Sequence, residues 1–332
     1  MEFLTILLFL VGIILIVKGG DFFVDAASWI AEVSGIPKLI VGATIVSIAT
    51  TLPELIVSVI AAAIGKVDMA VGNAVGSVTA NIGLIMALSL LFMPTIIKRS
   101  DYAVKSVLML GAMIISVIGG FMGNVNIWLS IILLIVFACF IFENVYSAIR
   151  GDKLLKAEQL ENPQANSAEQ NAKSVPKDAK TVVINIVKFI VGAVGIVWGA
   201  DLLVDNGSEI ARWLGIEERI IGVTIVAVGT SLPELVTTIT AIVKKQSDLS
   251  VGNILGANII DMTLIMPLCA VISGASLPIS QTAAFIDIPA CLLVGLIAVV
   301  PTMISSKFSR WQGVSMLVVY VSYVVLTCIA PI

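Results

Sequence analysis

The chain has 332 residues, enough by length for two soluble domains, yet 59% of them are hydrophobic and only 12% charged. Soluble domains average about 25% charged residues, and mean hydropathy here is +1.10, so an integral membrane protein is expected. A net charge of −3 with no sizeable basic patch excludes nucleic-acid binding, and the absence of histidine removes imidazole metal ligands, Ser-His triads and histidine proton relays.

The first residues, MEFLTILLFLVGIILIVKGG, carry Glu2 and lack a basic leader and a small-residue cleavage site. They read as a retained membrane span and not as a signal peptide. A span needs about 20 mostly apolar residues. On that measure ten are expected: 3–20, 39–64, 69–93, 103–121 and 126–148, then 182–200, 220–243, 249–272, 283–305 and 312–331. Residues 151–180 between the two groups are polar, contain Pro163 and Pro176, and read as a flexible linker without an EF-hand loop. With the N-terminus outside, all Lys and Arg except Lys66, Arg212 and Arg219 fall on inner loops or inner span ends. The expected layout is therefore a multi-pass protein of the cell membrane with both termini outside and a cytoplasmic linker. Cys139, Cys269, Cys291 and Cys328 all sit in apolar runs without CxxC spacing and read as buried free thiols.

Residues 39–86 and 219–266 align without a gap at an offset of 180, with 19 of 48 positions identical. The shared TxLPEL, Asp68/Asp248, VGN and LIM are too polar and too specific for chance apolar matching. Upstream, Gly19, Asp21, Asp25 and Gly35 pair with Gly199, Asp201, Asp205 and Gly215. The fold expected is all-α, with ten transmembrane helices in two five-helix repeats, 1–150 and 181–332. Five spans per repeat is an odd number, so the second repeat inserts upside down. Inverted repeats with a midplane site between them are characteristic of secondary transporters.

Glu54 and Glu234 fall mid-span, each directly after a proline. A charge at the bilayer centre costs about 2.5–3.5 kcal/mol on insertion scales, so one in each repeat points to a role that only a carboxylate fills. Pro53 and Pro233 free the carbonyls four residues back, at Ala49 and Gly229. Such unwound backbone is tolerated where it lines a cavity. Helical spacing adds Ser47, Thr50, Thr51 and Ser58 to the Glu54 face, and Thr230, Ser231 and Thr238 to that of Glu234. Asn73, Ser77 and Asn81 form a stripe that recurs as Asn253, Ala257 and Asp261. Each hydroxyl taken singly reads as bonded to its own helix; Glu54, Glu234 and Asp261 do not. Asp21, Asp25, Asp201, Asp205, Glu143 and Asp287 read as solvated or capping groups near span ends, with ion entry as the lesser alternative for the first four. An all-oxygen donor set suits hard cations, and Ca²⁺ takes 6–8 oxygen ligands at about 2.3–2.6 Å. Three carboxylates can be balanced by Ca²⁺ with a proton or by several monovalent cations, which is what ion exchange requires.

The doubled TxLPEL and VGNxxGxxxx(N/D) motifs resemble the α-repeats of the cation/calcium exchanger family, most nearly those of prokaryotic sodium/calcium exchangers, over almost the whole chain. The resemblance implies Na⁺/Ca²⁺ antiport, with Na⁺ and Ca²⁺ competing at the midplane and the first and sixth helices sliding over a rigid core. It implies Glu54 and Glu234 as central Ca²⁺ ligands, flanked by Asn81 and Asp261. Thr50, Thr51, Ser77, Thr230 and Ser231 would serve through hydroxyls or carbonyls, and Ala49, with Ala227 or Ser47, through backbone oxygens. The first repeat departs from the family's GTSLPE at Ala49 and Thr51, and reads GSVTAN where many members have Asn after GS. Ala257 stands where sodium exchangers place a second Ser, which leaves H⁺ or K⁺ coupling open as the alternative. No cofactor is expected, and one chain supplies both halves, so a monomer is expected to function. A cation channel fits less well, because channels ring the pore with several subunits. An aspartyl-protease-like carboxylate pair lacks a substrate-docking element here.

Overall fold

The computed structural model describes residues 2–92, 94, 96, 98–161, 178–215 and 229–329. It is built almost wholly of helices: α1 Glu2–Ser34, α2 Lys38–Thr50, α3 Leu52–Ala63, α4 Val67–Phe92, α5 Arg99–Met122 and α6 Ile127–Glu161 in the first part of the chain. In the second part come α7 Ala179–Trp213, α8 Leu232–Val243, α9 Ser247–Ile272, α10 Ala283–Ser305 and α11 Arg310–Ile329. Seven of these are long and apolar enough to cross a membrane, and the bent pair α2–α3 makes an eighth span. The two other expected spans, 312–331 and 220–243, take in α11 and α8, and residues 216–228 lie outside the described residues.

Burial sorts the helices into centre and periphery. In their most apolar stretches α4 is 72% buried and α9 83%, against 22% for α1 and α7. The apolar side chains of α1 and α7 that remain exposed, such as Phe3, Ile14, Val187 and Val194, face outward as a lipid-contacting surface must. The centre is held by close backbone approach between the repeats. A Cβ on Gly252 of α9 would overlap the Leu39 carbonyl, and one on Gly256 would strike Ala43 and Ser47 of α2. Small residues at such crossings allow contact that side chains forbid. Two short strands, Asn124–Asn126 (β1) and Ser276–Pro278 (β2), pair antiparallel with Val125 opposite Leu277 and pin the α5–α6 turn to the α9–α10 turn.

Several expectations are corrected. The first and sixth spans are not 3–20 and 182–200 but 33- and 35-residue helices, so Asp21, Asp25, Asp201 and Asp205 lie inside helices and not at their ends. The reason is that hydropathy stops at a charge whereas a helix does not. The expected linker likewise begins as helix, since α6 runs to Glu161; its GDKLLKAEQLE is rich in strong helix formers. Residues 162–177 lie outside the described residues. Cys269 and Cys291 are buried free thiols, but Cys139 is exposed on α6, because an apolar run in a membrane helix also has a lipid side. The side chain of Cys328 is outside those described.

Candidate functional site

The site is assembled by two breaks in helical regularity. Pro53 occupies the first turn of α3, where its missing N–H costs nothing, and α2 and α3 meet at Thr51 with a bend of 46°. The Thr51 N–H still donates to the Ser47 carbonyl at 2.9 Å. Pro233 starts α8 in the same way after Ser231. Thus Glu54 and Glu234 each lie in the first turn of a new helix, deep in the protein, where the N-terminal backbone dipole favours an anion. They are 1% and 0% exposed.

The counterpart positions on the central helices are also irregular. Asn81 opens a π-helical turn over Asn81–Met86 and Asp261 opens one over Asp261–Ile265. Such π turns recur at functional sites because they re-aim side chains. Neither was legible from hydropathy, which is blind to a one-residue change in helical pitch.

Glu54 is near enough to Glu234 and Asp261 for their charges to repel. The Thr51 hydroxyl donates to Glu234 Oε1 at 3.4 Å. Among the described residues, both carboxyl oxygens of Glu54 and of Asp261, Oε2 of Glu234 and Oδ1 of Asn81 are buried without a hydrogen-bond partner, as are the Ser231 and Thr238 hydroxyls. An unmade bond to a buried polar group costs about 1–3 kcal/mol, and more when the group is charged. Six orphaned acceptor oxygens around one core are therefore a donor set suited to cations. Among the described residues no three Asp, Glu, Cys or His side chains converge as a metal-holding group by themselves. The three acids come from three helices, α3, α8 and α9.

Of the expected site residues, Glu54, Glu234, Asn81, Asp261, Thr50, Thr51, Ser77 and Ser231 are all buried. Ala49 and Thr230 are half-buried. Thr230, Gly229, Pro53 and Pro233 line a cavity of about 210 Å³ together with Asp201 and Asp205 of α7, both of which are exposed. Ala227 lies outside the described residues. Ser47 donates to the Thr44 carbonyl at 3.1 Å, the local role expected of most hydroxyls here. Ala257 is fully buried in the α9 stripe and contributes no polar atom.

A second tier of polar residues holds the breaks in place. Asn73 donates to the Glu54 carbonyl at 3.2 Å and to the Ser58 hydroxyl at 2.8 Å. Its repeat counterpart Asn253 accepts from Thr50 at 3.1 Å and donates to Thr237 at 2.9 Å, bridging α2 to α8. Asn81 donates to Asn258 at 3.1 Å. Sequence reasoning placed Asn73 and Asn253 on the stripe without these roles and missed Thr237 and Asn258. A signal for Asn258 existed, since it is a mid-span amide with no counterpart at Val78.

The remaining acids differ from expectation. Lys244 Nζ contacts Asp25 at 2.7 Å and Asp21 at 3.3 Å, tying α8 to α1. Glu143 pairs with the fully buried Lys105 and accepts from Ser147 at 2.8 Å, so it is an internal ion-pair partner and not a solvated end group. Asp287 is half-buried, with Oδ1 buried and unpartnered.

Comparison with known proteins agrees with this geometry. The family model described as "Sodium/calcium exchanger protein" matches residues 4–145 and 184–329. An uncharacterized membrane protein of Methanocaldococcus jannaschii is 31% identical over 322 residues, covering 94% of each chain. The sodium/calcium exchanger MaX1 of Methanosarcina acetivorans is 29% identical over 360 residues, covering 96% of this chain and 97% of its own. The solved sodium-calcium exchanger NCX_Mj, soaked with 2.5 mM Na⁺ and 0.1 mM Ca²⁺, superposes with a TM-score of 0.80 at 28% identity and full coverage of both chains. A doubled, proline-broken carboxylate site in a chain matched from end to end leads to one assignment: the protein belongs to the sodium/calcium exchanger family.

Proposed function

We propose that the protein is a secondary antiporter that exchanges Na⁺ for Ca²⁺ through a midplane site between its two repeats, 1–150 and 181–332. The observation that carries this is the set of buried, unpartnered acceptor oxygens on Glu54, Glu234, Asp261 and Asn81. Ca²⁺ takes 6–8 oxygens in a flexible arrangement. Glu54 and Glu234 serve as its central ligands, with Asn81 and Asp261 beside them. Thr50, Thr51, Ser77, Thr230 and Ser231 and the Ala49 carbonyl provide the neutral oxygens that let Na⁺ occupy overlapping positions. Mutual repulsion of the three carboxylates disfavours the unloaded state, and either cation filling relieves it. That competition is the basis of exchange.

The chain is placed in the cell membrane with both termini outside, residues 151–180 in the cytoplasm and the monomer as the transporting unit. Alternating access comes from α1 and α7, the peripheral pair, moving against a rigid centre of α4 and α9. A second reading, coupling to K⁺ or H⁺ in place of Na⁺, is favoured by Ala257, which supplies no hydroxyl where its counterpart Ser77 does.

The test is ⁴⁵Ca²⁺ uptake into proteoliposomes loaded with Na⁺ and diluted into Na⁺-free buffer, beside K⁺-loaded and pH-jump controls. Uptake with the outward Na⁺ gradient alone is the expected result. Uptake that follows K⁺ or pH would replace Na⁺ as the coupling ion, and silence in all three would overturn the antiport reading.

A further inference from the structure

Asn81 is the one amide among the proposed charged and amide ligands, and an amide is two-faced. Its Oδ1 attracts a cation, while its Nδ2 carries two protons and repels one. A carboxylate presents acceptors at both ends and has no wrong orientation. The Asn81 ligand is therefore useful only when something holds its nitrogen away from the ion.

Asn258 meets that requirement. Its Oδ1 accepts the Asn81 Nδ2 proton at 3.1 Å, and its own Nδ2 points to Met109 Sδ on α5 at 3.8 Å. Asn258 and Met109 are 0% and 1% exposed, so the chain of contacts is shielded from water. With its nitrogen held on α9 by one of its two protons, Asn81 turns Oδ1 the other way, and that atom is buried without a partner among the described residues. Flipping Asn81 would set two amide oxygens against each other in a dry core, where an unsatisfied polar contact is costly. The Asn81–Met86 segment also packs against α8, the helix that carries Glu234.

The duplication provides an internal control. Asn81 corresponds to Asp261 and Asn258 to Val78 at the constant offset of 180. Where the ligand position is an amide, the facing helix supplies an orienting amide; where it is a carboxylate, the facing helix carries a valine. We propose that Asn258 is a positioning residue that fixes the Asn81 amide with its oxygen towards the cation site. This inference rests on the Ca²⁺-binding reading above.

The experiment is equilibrium ⁴⁵Ca²⁺ binding to the full-length protein in detergent without Na⁺, for wild type, Asn258→Val, Asn81→Asp and the double variant. Loss of an outer partner of a metal ligand typically costs about 10–100-fold in affinity. Asn258→Val is expected to fall in that range, whereas adding it to Asn81→Asp changes affinity by less than about twofold, because a carboxylate needs no orienting. In proteoliposomes the half-saturating Ca²⁺ of Asn258→Val rises while the maximal rate holds. Asn258→Ala serves in the same cycle if the valine variant is not monodisperse. An equal loss in both backgrounds would mean that Asn258 only packs, and no loss in either would also overturn the inference. Wild-type protein that binds no ⁴⁵Ca²⁺ would overturn the functional reading itself, and this inference with it; normal wild-type binding confines a failure to Asn258.

Discussion

At the scale of single residues, the site depends on charges with nothing else to do. Among the described residues both carboxyl oxygens of Glu54 and Oε2 of Glu234 lack a hydrogen-bond partner, while Thr51 donates to Glu234 Oε1. Glu54→Gln and Glu234→Gln should therefore fold, since no protein partner is orphaned, yet each is expected to abolish Na⁺-driven ⁴⁵Ca²⁺ uptake. A ligand at 100 times its Kd stabilises the folded state by about 2.7 kcal/mol. The wild type should thus show a Ca²⁺-dependent rise in Tm that both variants lack. Ala257→Ser restores a hydroxyl in the repeat that lost one. A hydrogen-bond-sized gain of about 0.5–1.5 kcal/mol would lower half-saturating Na⁺ by about two- to tenfold, measured as Na⁺-dependent Ca²⁺ efflux. The carboxylates were legible in the sequence because a charge in an apolar run is conspicuous. Thr237 was not, and Asn258 showed only as an amide without a counterpart, because an amide or hydroxyl declares its purpose only when its partner across the helix interface is known.

At the scale of elements, the breaks after Thr51 and Ser231 place the acids, and Asn253 holds those breaks together. It joins Thr50 on α2 to Thr237 on α8. Asn253→Ala removes both bridging bonds while Thr50 keeps the Ser47 carbonyl and Thr237 those of Pro233 and Glu234, so a cost of about 0.5–1.5 kcal/mol per lost bond is expected, to be read as a lowered Tm in detergent. Ca²⁺ affinity should fall with it, because Thr50 loses its tether. The bend at Thr51 and the fresh start of α8 could be foreseen from Pro53 and Pro233, which lack an N–H and disrupt a helix interior. The π turns at Asn81 and Asp261 could not, and nor could the strand pair β1–β2, whose six residues carry no alternation long enough to signal a strand. Span ends were misjudged at α1, α7 and α6 for the single reason that charge ends an apolar run without ending a helix.

At the scale of the whole molecule, the architecture follows from the duplication, which was readable at once from the 180-residue offset. The peripheral pair α1 and α7 meets along glycines. A Cβ on Gly19 would come within 2.9 Å of the Gly192 carbonyl and the Ile196 nitrogen. Gly19→Leu is expected to force the pair apart and slow exchange by about tenfold or more, the reach of a displacement of about 1 Å. Ca²⁺ binding at equilibrium should be less affected, since the ligands lie on other helices; comparing turnover with ⁴⁵Ca²⁺ binding separates the two.

The two acid pairs of the duplication have drifted apart in circumstance. Asp21 and Asp25 are clasped by Lys244, whose counterpart in the first repeat is Ile64, whereas Asp201 and Asp205 border the cavity beside the site. An inverted duplication with identical halves would have equal energy in its two facing states. Because the clasp has no counterpart in the first repeat, it is expected to weigh the two facing states unequally. A half-exposed ion pair is worth about 0.2–1 kcal/mol, or roughly a 1.4- to 5-fold excess of one facing state at rest. The expected consequence is a resting exchanger that favours one facing side, with rising ionic strength, which screens the clasp, drawing the two populations back towards parity.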